Sequence, residues 1–377
     1  MQSVRFELAR NTAPIIYLPV QMCPALERRV LPRVVQGLRD QRPTDLISLL
    51  VDDFTADARE FFSRARDEES PYVLPRALVF PEEFYPMCFE IPRLDAPGDD
   101  DVFALEIMDE ADLRALAPVM SGEWQDAHRD DTAHRLGCEF VEHGLLRPVV
   151  PDRERRIDFD RPGIFRLQHA SLLFRSESSA VIADPQFSYA TSHSWLHSGE
   201  YPNIDAVLIS HSHADHFCLA SLLRFPKNTA IVVPRVERAS LLSPPMAEIL
   251  RAAGFTNVID AEWFSEHVFG DIRVTVYPFY GEQPWLTFAS PDPHLRNWGN
   301  TYLVEANGVK TWFLIDSGQE FGRSMLDLCG RVRQEHGHID VVMSNLREFT
   351  WSPSQIDGSG RYLYCFPTEI VLDPQRW

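Results

Sequence analysis

The stretch Ile209-Ser-His211-Ser-His213-Ala-Asp215-His216 closes an apolar run, Ala206–Ser210, that is typical of a buried strand. Because the chain turns where a strand ends, alternate residues after it can converge on one point. His211 and His213 are therefore predicted to chelate one metal ion, and Asp215 and His216 to reach a second ion beside it. Imidazole and carboxylate groups are ligands that zinc, iron and manganese accept. This stretch predicts a dinuclear metal site at a strand end.

The sequence on both sides of this stretch alternates short apolar runs with helix-like segments. Several runs are continuously apolar, as expected for strands covered on both faces. The predicted strands are Gly163–Leu167, Ala170–Arg175, Ala180–Ala183, Ala206–Ser210, Ala230–Val233, Arg273–Pro278, Thr301–Glu305, Lys310–Ile315 and Ile339–Met343. The predicted helices are Leu219–Leu223, Pro245–Ala253 and Phe321–His336. Paired strands followed by helices predict an α/β fold, with two sheets sandwiched between helical layers.

The first 160 residues have a different texture and predict a smaller mixed α+β domain. A proline-rich segment, Pro71–Pro97, is typical of irregular structure and edge strands. A charged linker, Pro151–Arg156, predicts a boundary between residues 1–160 and 161–377. No catalytic motif lies before the linker, and its histidines are interpreted as surface or packed side chains. The predicted helices here are Ala25–Arg39, Asp45–Arg66, Glu110–Ala117 and Asp126–Gly144.

Composition restricts the partners of this 377-residue chain. Its formal net charge of −19 argues against nucleic acid and anionic membranes, because phosphates would be repelled. The first twenty residues lack the apolar core of a signal peptide, and no apolar run is long enough to span a bilayer. We therefore expect a cytoplasmic protein. Its six cysteines include no Cys-x-x-Cys pair, which predicts reduced and mostly buried thiols.

Three further segments, taken in order with the histidine stretch, resemble the metallo-β-lactamase superfamily. The first contains His169-Ala-Ser171, where related proteins read Gly-His-Ala/Ser-Ser/Thr; the second is Ile182-Ala-Asp184-Pro185; the third is Leu314-Ile-Asp316-Ser-Gly318. The resemblance covers about residues 162–350 and implies an αββα sandwich. It further implies that Asp184 supports the histidine loop from behind and that Asp316 bridges the two metal ions.

The ligand that follows the Arg273–Pro278 strand separates two interpretations. Hydrolytic members of the superfamily carry a histidine there, whereas this chain reads Phe279-Tyr-Gly-Glu282. His294 is the competing ligand, since its surroundings resemble the Pro-x-x-His-Trp element of lipid phosphodiesterases. His294 lies a dozen residues beyond the strand end, so Glu282 is preferred and His294 is kept as the alternative. No histidine follows His338, although hydrolytic members usually supply a last one there.

A ligand set rich in carboxylates favours iron, whose higher oxidation states oxygen ligands support. This set resembles one branch of the superfamily, the diiron β-hydroxylases of natural-product biosynthesis of the chloramphenicol-pathway type. The resemblance implies two iron ions and O₂ as co-substrate. His211, His213 and Glu282 would hold one iron, Asp215 and His216 the other, and Asp316 would bridge them or bind the second. Glu282 and Asp316 would then belong to the catalytic centre.

The same resemblance implies hydroxylation of a C–H bond in a small molecule or in a thioester tethered to a carrier protein. An external electron donor is needed, because the sequence has no nucleotide-binding Gly-x-Gly-x-x-Gly fingerprint. Since the chain is shorter at both ends than members of that branch, its first domain is expected either to dimerise or to dock the carrier protein. By position, Tyr280, Trp285 and Arg296 are predicted substrate contacts. The alternative function is a dizinc hydrolase of a phosphodiester, lactone or thioester.

Overall fold

The structure is a computed structural model. It describes residues 4–9, 12, 14–17, 85–93, 102–122, 124–125, 131–148, 159–187, 201–213, 215–237, 243–280, 296–320 and 323–344. The predicted helices Ala25–Arg39 and Asp45–Arg66 lie outside these residues.

The N-terminal region combines short antiparallel strands with two helices, as predicted. Its elements are β1 (Phe6–Leu8), β2 (Ile15–Tyr17), β3 (Met87–Pro92), β4 (Val102–Ile107), α1 (Glu110–Ser121), α2 (Asp131–Glu142) and β5 (Leu146–Pro148). β1 pairs with β5, and a separate sheet has the order β2-β3-β4. The expectation of edge strands in the proline-rich segment is wrong for β3, which is the central strand. Its prolines bound the strand instead of interrupting it, since Pro86 precedes β3 and Pro92 is its last residue.

The first large sheet has six strands in the order β11-β10-β9-β8-β7-β6. β6 and β7 pair antiparallel, as do β7 and β8, whereas β8, β9, β10 and β11 run parallel. The parallel strands all end at the same edge, from which the histidine stretch emerges. The strands are β6 (Gly163–Arg166), β7 (Leu172–Arg175), β8 (Ala180–Ala183), β9 (Ala206–Leu208), β10 (Ala230–Pro234) and β11 (Val258–Ala261).

The second sheet has the order β12-β13-β14-β15-β18 and is antiparallel except for the pairing of β15 with β18. Its strands are β12 (Glu266–Phe269), β13 (Ile272–Pro278), β14 (Asn300–Ala306), β15 (Val309–Ile315) and β18 (Val341–Ser344). A small antiparallel ladder, β16 (Gln319–Glu320) with β17 (Arg323–Ser324), precedes helix α5 (Met325–His336). This ladder explains why the helix begins four residues later than the predicted Phe321.

Alternate residues of the strands enter different cores, which follows from the two-residue period of a strand. Leu172 and Phe174 of β7 join the cluster between the two sheets, while Leu173 joins the cluster beneath the helices. Helices α3 (Leu219–Leu222) and α4 (Met246–Ala252) cover the outer face of the first sheet, and α5 covers the second. The four layers are therefore helix, sheet, sheet and helix, as predicted.

The N-terminal region packs on the helical layer of the first sheet. Its buried side chains Met87, Phe89 and Phe140 belong to the same apolar cluster as Ile182 and Val207 of that sheet. The hydroxyl of Tyr85 donates to the Ala252 carbonyl at 3.4 Å. The boundary between residues 160 and 161 stays a prediction. The shared cluster shows that the N-terminal region and the first sheet pack against each other.

Two smaller expectations can be compared with the described residues. No helix among them is long and apolar enough to cross a bilayer. Of the cysteines in these ranges, Cys329 is buried, whereas Cys88, Cys138 and Cys218 are half-buried. The prediction of mostly buried thiols is therefore wrong for those three. Each lies at the margin of a packed layer, and none is at the centre of a core.

Candidate metal centre

Hydrogen bonds from both sheets fix the backbone just before the histidine stretch. The Ile209 amide donates to the Val232 carbonyl of β10 at 2.9 Å, which extends the first sheet by one residue. From the second sheet, the Tyr302 hydroxyl donates to the Ile209 carbonyl at 2.6 Å. The Asn300 amide donates to the Ser210 carbonyl at 2.7 Å. Both sheets thus contact the backbone directly before His211, the first candidate ligand.

One buried carboxylate, Asp184 at the end of β8, organises two of the histidines. It accepts from the Ser210 amide at 2.7 Å and from the Ser210 hydroxyl at 2.5 Å. Its Oδ2 also lies 2.8 Å from Nδ1 of His216. Asp184 is fully buried and adopts a positive φ of 42°. This arrangement agrees with the supporting role that the family resemblance implied for Asp184.

The hydrogen bonds of Ser210 and Asp184 indicate which nitrogen of each imidazole ring carries the proton. Since the hydroxyl proton of Ser210 goes to Asp184, the Ser210 oxygen accepts from Nδ1 of His211, 2.9 Å away. His216 likewise donates from Nδ1, because an ionised Asp184 can only accept. In the neutral form of either ring, Nε2 is left unprotonated and available to a metal ion. A histidine ligand is typically held in this way, through its other nitrogen, by a carboxylate or hydroxyl behind it.

Asp316 presents its carboxylate to both of these Nε2 atoms. Its Oδ2 lies 3.2 Å from Nε2 of His216 and 4.0 Å from Nε2 of His211. The register of β15 shifts between Phe313 and Ile315, and Ile315 has a positive φ of 47°. This irregularity turns the chain at the end of β15, directly before Asp316. The geometry fits a carboxylate between two metal ions, which is the role that the family resemblance implied for Asp316, and this role stays a prediction.

The rest of the histidine stretch forms a tight turn that brings in a second carboxylate. The amides of His216 and Phe217 both donate to the His213 carbonyl, at 2.9 Å and 2.7 Å. His213 lies beside His211, with ring centroids 4.6 Å apart. Within the described part of the chain, its nitrogens do not join either group of ligand atoms that could hold a metal ion. Oδ2 of Asp215 lies 3.8 Å from Nε2 of His216.

A histidine outside the predicted ligand set also reaches this carboxylate. Nε2 of His169 lies 3.3 Å from Oδ2 of Asp215. Nitrogen and oxygen atoms of His169, Asp215 and His216 all lie within 4.8 Å of one another, as do those of His211, His216 and Asp316. The sequence motif around His169 was recognised as a family feature, but its spacing of more than forty residues from the histidine stretch gave no reason to count it as a ligand.

Burial and neighbouring charges shift the pKa values of three of these side chains. Burial and the neighbouring histidines hold the pKa of His211 well below its usual value, so its imidazole is neutral. Burial acts to raise the pKa of Asp215, but the hydrogen bond from His169 and the nearby histidine charges outweigh it and hold this pKa well below the usual range. Burial acts to lower the pKa of His216, while the charge and hydrogen bond of Asp184 raise it well above its usual value. Neutral imidazole and ionised carboxylate are the forms that bind metal, so His211 and Asp215 are ready to bind, whereas His216 has to release a proton when a metal ion binds.

The spacing of the ligand atoms fits first-row metal ions. Nitrogen and oxygen ligands lie about 2.0–2.2 Å from such an ion, so neighbouring ligands of one ion are roughly 3–3.6 Å apart. The separations of 3.2 Å between His216 and Asp316 and 3.3 Å between His169 and Asp215 match this spacing. The residues therefore fit a metal centre, with histidine and carboxylate donors in comparable numbers.

Glu282, His294 and Trp285 lie outside the described residues. The chain on either side of them is anchored at the site. The Tyr280 amide donates to the Ser317 hydroxyl at 2.9 Å, directly beside Asp316. On the other side, the Ser212 hydroxyl donates to Oδ1 of Asn297 at 2.9 Å. The choice between Glu282 and His294 stays a prediction.

The two predicted substrate contacts that can be located flank this region. Tyr280 is half-buried and makes an edge contact with Trp263, at 6.1 Å between ring centroids. Arg296 is buried, and its guanidinium lies 5.1 Å from the ring centroid of Trp298 and 5.7 Å from that of Trp263. Contact of either residue with a substrate stays a prediction.

The residues from 180 to 358, which span the histidine stretch and Asp316, match a protein family described as the β-lactamase superfamily domain. This part of the chain, a little under half of its length, is therefore similar to the β-lactamase superfamily domain. The fold and the order of the site residues agree with this assignment. The αββα architecture predicted from the sequence is thereby confirmed.

The chain is also similar to individual proteins. The chain is 30% identical over 204 residues to the 4-amino-L-phenylalanyl-[CmlP-peptidyl-carrier-protein] 3-hydroxylase of Streptomyces venezuelae. That alignment covers 51% of this chain and 38% of the relative, so the chain spans well under two thirds of the relative's length.

The fold similarity extends further than the sequence similarity. The crystal structure of CmlA, a diiron β-hydroxylase from Streptomyces venezuelae, matches 98% of this chain and 85% of its own chain, with a TM-score of 0.63 and 18% identity. A Glu-to-Asp mutant of the CmlA β-hydroxylase gives a TM-score of 0.61 at 17% identity, over 97% and 86% of the two chains. The domain preceding the β-lactamase domain is therefore included in the shared fold.

Proposed function

We propose that the protein is an O₂-dependent hydroxylase with two iron ions at this centre. The observation that carries the proposal is a pair of adjacent donor groups that share His216: one contains Asp215 and His169, and the other contains His211 and Asp316. The relative with 30% identity is a hydroxylase by name. A centre with this share of carboxylates suits iron better than a histidine-rich dizinc site does.

Each residue of the site has a defined task in this proposal. His211, His213 and Glu282 would hold one iron, Asp215 and His216 would hold the other, and Asp316 would be shared between them. Asp184 and Ser210 keep the two imidazole rings oriented. When bound, the irons activate O₂ for insertion of one oxygen atom into a C–H bond. The second oxygen atom leaves as water, which requires two electrons and two protons from an external donor system.

The substrate is proposed to be an amino acid or acyl group held as a thioester on a carrier protein. The named relative acts on an aminoacyl group attached to a peptidyl carrier protein, and a small free molecule is the alternative. The N-terminal region then serves either to dock the carrier or to form a dimer. Its sheet and helices lie on the helical layer of the first sheet.

The test combines metal analysis with product analysis. The protein is purified without added metal, and its iron and zinc are measured per chain. It is then chemically reduced and exposed to ¹⁸O₂ in the presence of an aromatic aminoacyl thioester on a carrier protein. We expect two irons per chain and incorporation of one ¹⁸O atom into the aminoacyl group.

Two variants distinguish the hydroxylase from the hydrolase. Glu282→Ala should lower iron occupancy and abolish hydroxylation, whereas His294→Ala should leave both metals in place. The proposal fails if the protein binds zinc alone, hydrolyses the thioester and loses its metals in His294→Ala but not in Glu282→Ala. Glu282 would then be an ordinary loop carboxylate.

A further inference from the structure

His169 occupies a turn whose backbone does not favour histidine. It lies between β6 and β7, where the Leu167 amide donates to the Ser171 carbonyl at 2.9 Å and the Ser171 amide donates to the Gln168 carbonyl at 3.0 Å. Its φ is +55°, in the left-handed region. Residues with a side chain adopt this conformation less readily than glycine does, with Asn and Asp the most tolerant of them. The turn alone would therefore be served better by glycine or asparagine.

The side chain of His169 faces the open side of the metal centre. Its ring meets that of His216 edge-on, with 5.4 Å between the centroids. Its Nε2 lies 3.3 Å from Oδ2 of Asp215, and that same oxygen lies 3.8 Å from Nε2 of His216. The three ligand atoms form a compact triangle in which no pair is further apart than 4.8 Å.

This triangle has the dimensions of three ligands around one ion. Donor atoms about 2.0–2.2 Å from a single ion are roughly 3–3.6 Å apart when adjacent and about 4.2 Å when opposite. A hydrogen bond between a histidine and a carboxylate is expected to be shorter, about 2.7–2.9 Å. The separation of 3.3 Å between His169 and Asp215 fits two ligands of one ion better than it fits a strong hydrogen bond.

We propose that His169 is a ligand of the second metal ion, together with Asp215 and His216. This inference rests on the dinuclear centre of the proposed function but is independent of whether the ions are iron or zinc. It adds a fourth imidazole to the centre, from a hairpin far from the other ligands along the chain. The second ion is thereby bound between the β6–β7 turn and the histidine loop, on the half-exposed side of the site.

Two substitutions at His169 separate a ligand from a residue that only positions Asp215. Asparagine suits the left-handed backbone, but its side chain is too short to reach the ion or Asp215. Glutamine is longer and retains an N–H group that can donate to Asp215, while its neutral amide is a weak ligand for transition metals. His267→Asn is the matched control, because His267 is also partly exposed and lies on β12, the strand of the second sheet furthest from β18.

The measurements are metal ions per chain and the number of imidazole ligands, the latter from X-ray absorption of cobalt-reconstituted protein. We expect both His169→Asn and His169→Gln to lose about one metal ion per chain, and the bound imidazole count to fall. His267→Asn should retain both ions. Thermal unfolding of the metal-free variants identifies any that fail to fold.

Two results would overturn the inference. One is retention of two ions with an unchanged imidazole count in both variants. The other is loss of an ion in His169→Asn but not in His169→Gln, since His169 would then act only as a hydrogen-bond donor to Asp215. If the purified protein contains zinc and does not hydroxylate, the proposed function fails while the metal count still decides the role of His169.

Discussion

The strand ends of the first sheet and its outer face are two sides that are stabilised by different kinds of interaction. At the ends of its parallel strands, Asp184, Ser210 and His216 form a buried polar network in which each group has a specific partner. On its outer face, Ile182 and Val207 pack into an apolar cluster with the helices and with Phe89 of the N-terminal region. The polar network depends on single atoms, whereas the apolar cluster depends on volume shared among many side chains. Substitutions should therefore alter chemistry at one side and stability at the other.

The largest effect is expected for Asp184→Ala, which removes the acceptor of three buried donors. Removing one partner of a buried charged network costs about 3–5 kcal/mol of unfolding free energy. Both imidazoles would lose their orientation, so we expect the variant to bind fewer than two metal ions. Chemical denaturation of metal-free protein and metal analysis provide the two measurements.

Asp205→Ala is the control for Asp184→Ala. Asp205 also accepts a backbone amide at the first sheet, from Ala180 at 2.8 Å, but it is not part of the histidine network. Its loss should cost about 1 kcal/mol and leave the metal content intact. Full metal occupancy in Asp184→Ala would refute the supporting role of this carboxylate.

On the apolar side, Phe89→Ala should destabilise the protein without removing metal. Phe89 is fully buried and stacks with Phe140 at 6.0 Å between centroids. Such a truncation costs about 3–5 kcal/mol. Because the cluster includes Ile182 and Val207, we expect the whole protein to unfold in one transition at lower denaturant. The half-exposed side chain of Met108 in the same region makes Met108→Ala a nearly neutral control.

The outcome also bears on the predicted boundary at residues 160 and 161. If Phe89→Ala shifted only an early transition and left a later one unchanged, the two regions would unfold independently. The shared cluster would then contribute little to their coupling.

A smaller effect is expected for Ser210→Ala, which keeps Asp184 but removes the hydroxyl between it and His211. Loss of such an orienting partner typically weakens metal binding by about 10–100-fold. Competition titration with a chelator measures the change. Ser221→Ala is the matched control, because Ser221 also has a buried hydroxyl that takes part in a hydrogen bond, which it accepts from the Phe187 amide at 2.8 Å. Equal metal affinities in the two variants would contradict the hydrogen-bond assignment.

The smallest effect concerns Lys227, on the apolar side, whose Nζ donates to the Ala253 carbonyl at 2.9 Å. Burial lowers its pKa from 10.5 to about 8, against the opposing charge of Glu110. The folded state therefore disfavours the charged lysine, and this penalty is present below pH 8 and disappears as the pH approaches 10.5. Relative to Lys227→Met, the wild type should gain stability between pH 8 and 10. A difference independent of pH, measured by denaturation at several pH values, would refute this.

Local sequence patterns predicted most of the sandwich because strand burial is written into consecutive residues. The apolar runs of β8, β9 and β10 indicated strands covered on both faces, and the structure confirms them. Strands with mixed composition were missed, such as Glu266–Phe269, whose burial alternates and whose place at a sheet edge demands little apolar surface. The central position of β3 was also missed, because prolines near its ends resembled edge-strand signals.

The candidate roles of Asp184 and Asp316 came from the family resemblance. The sequence by itself determined the histidine stretch and its place at a strand end. These follow from neighbouring residues, since a strand that ends in closely spaced ligands must present them together. Only the tertiary structure showed that Ser210 forms hydrogen bonds with both Asp184 and His211. It also showed that the side chain of His169 lies next to that of Asp215. Those contacts join segments between twenty-six and forty-six residues apart. Their geometry depends on how parallel strands and hairpins align at one edge of a sheet, which no local pattern encodes.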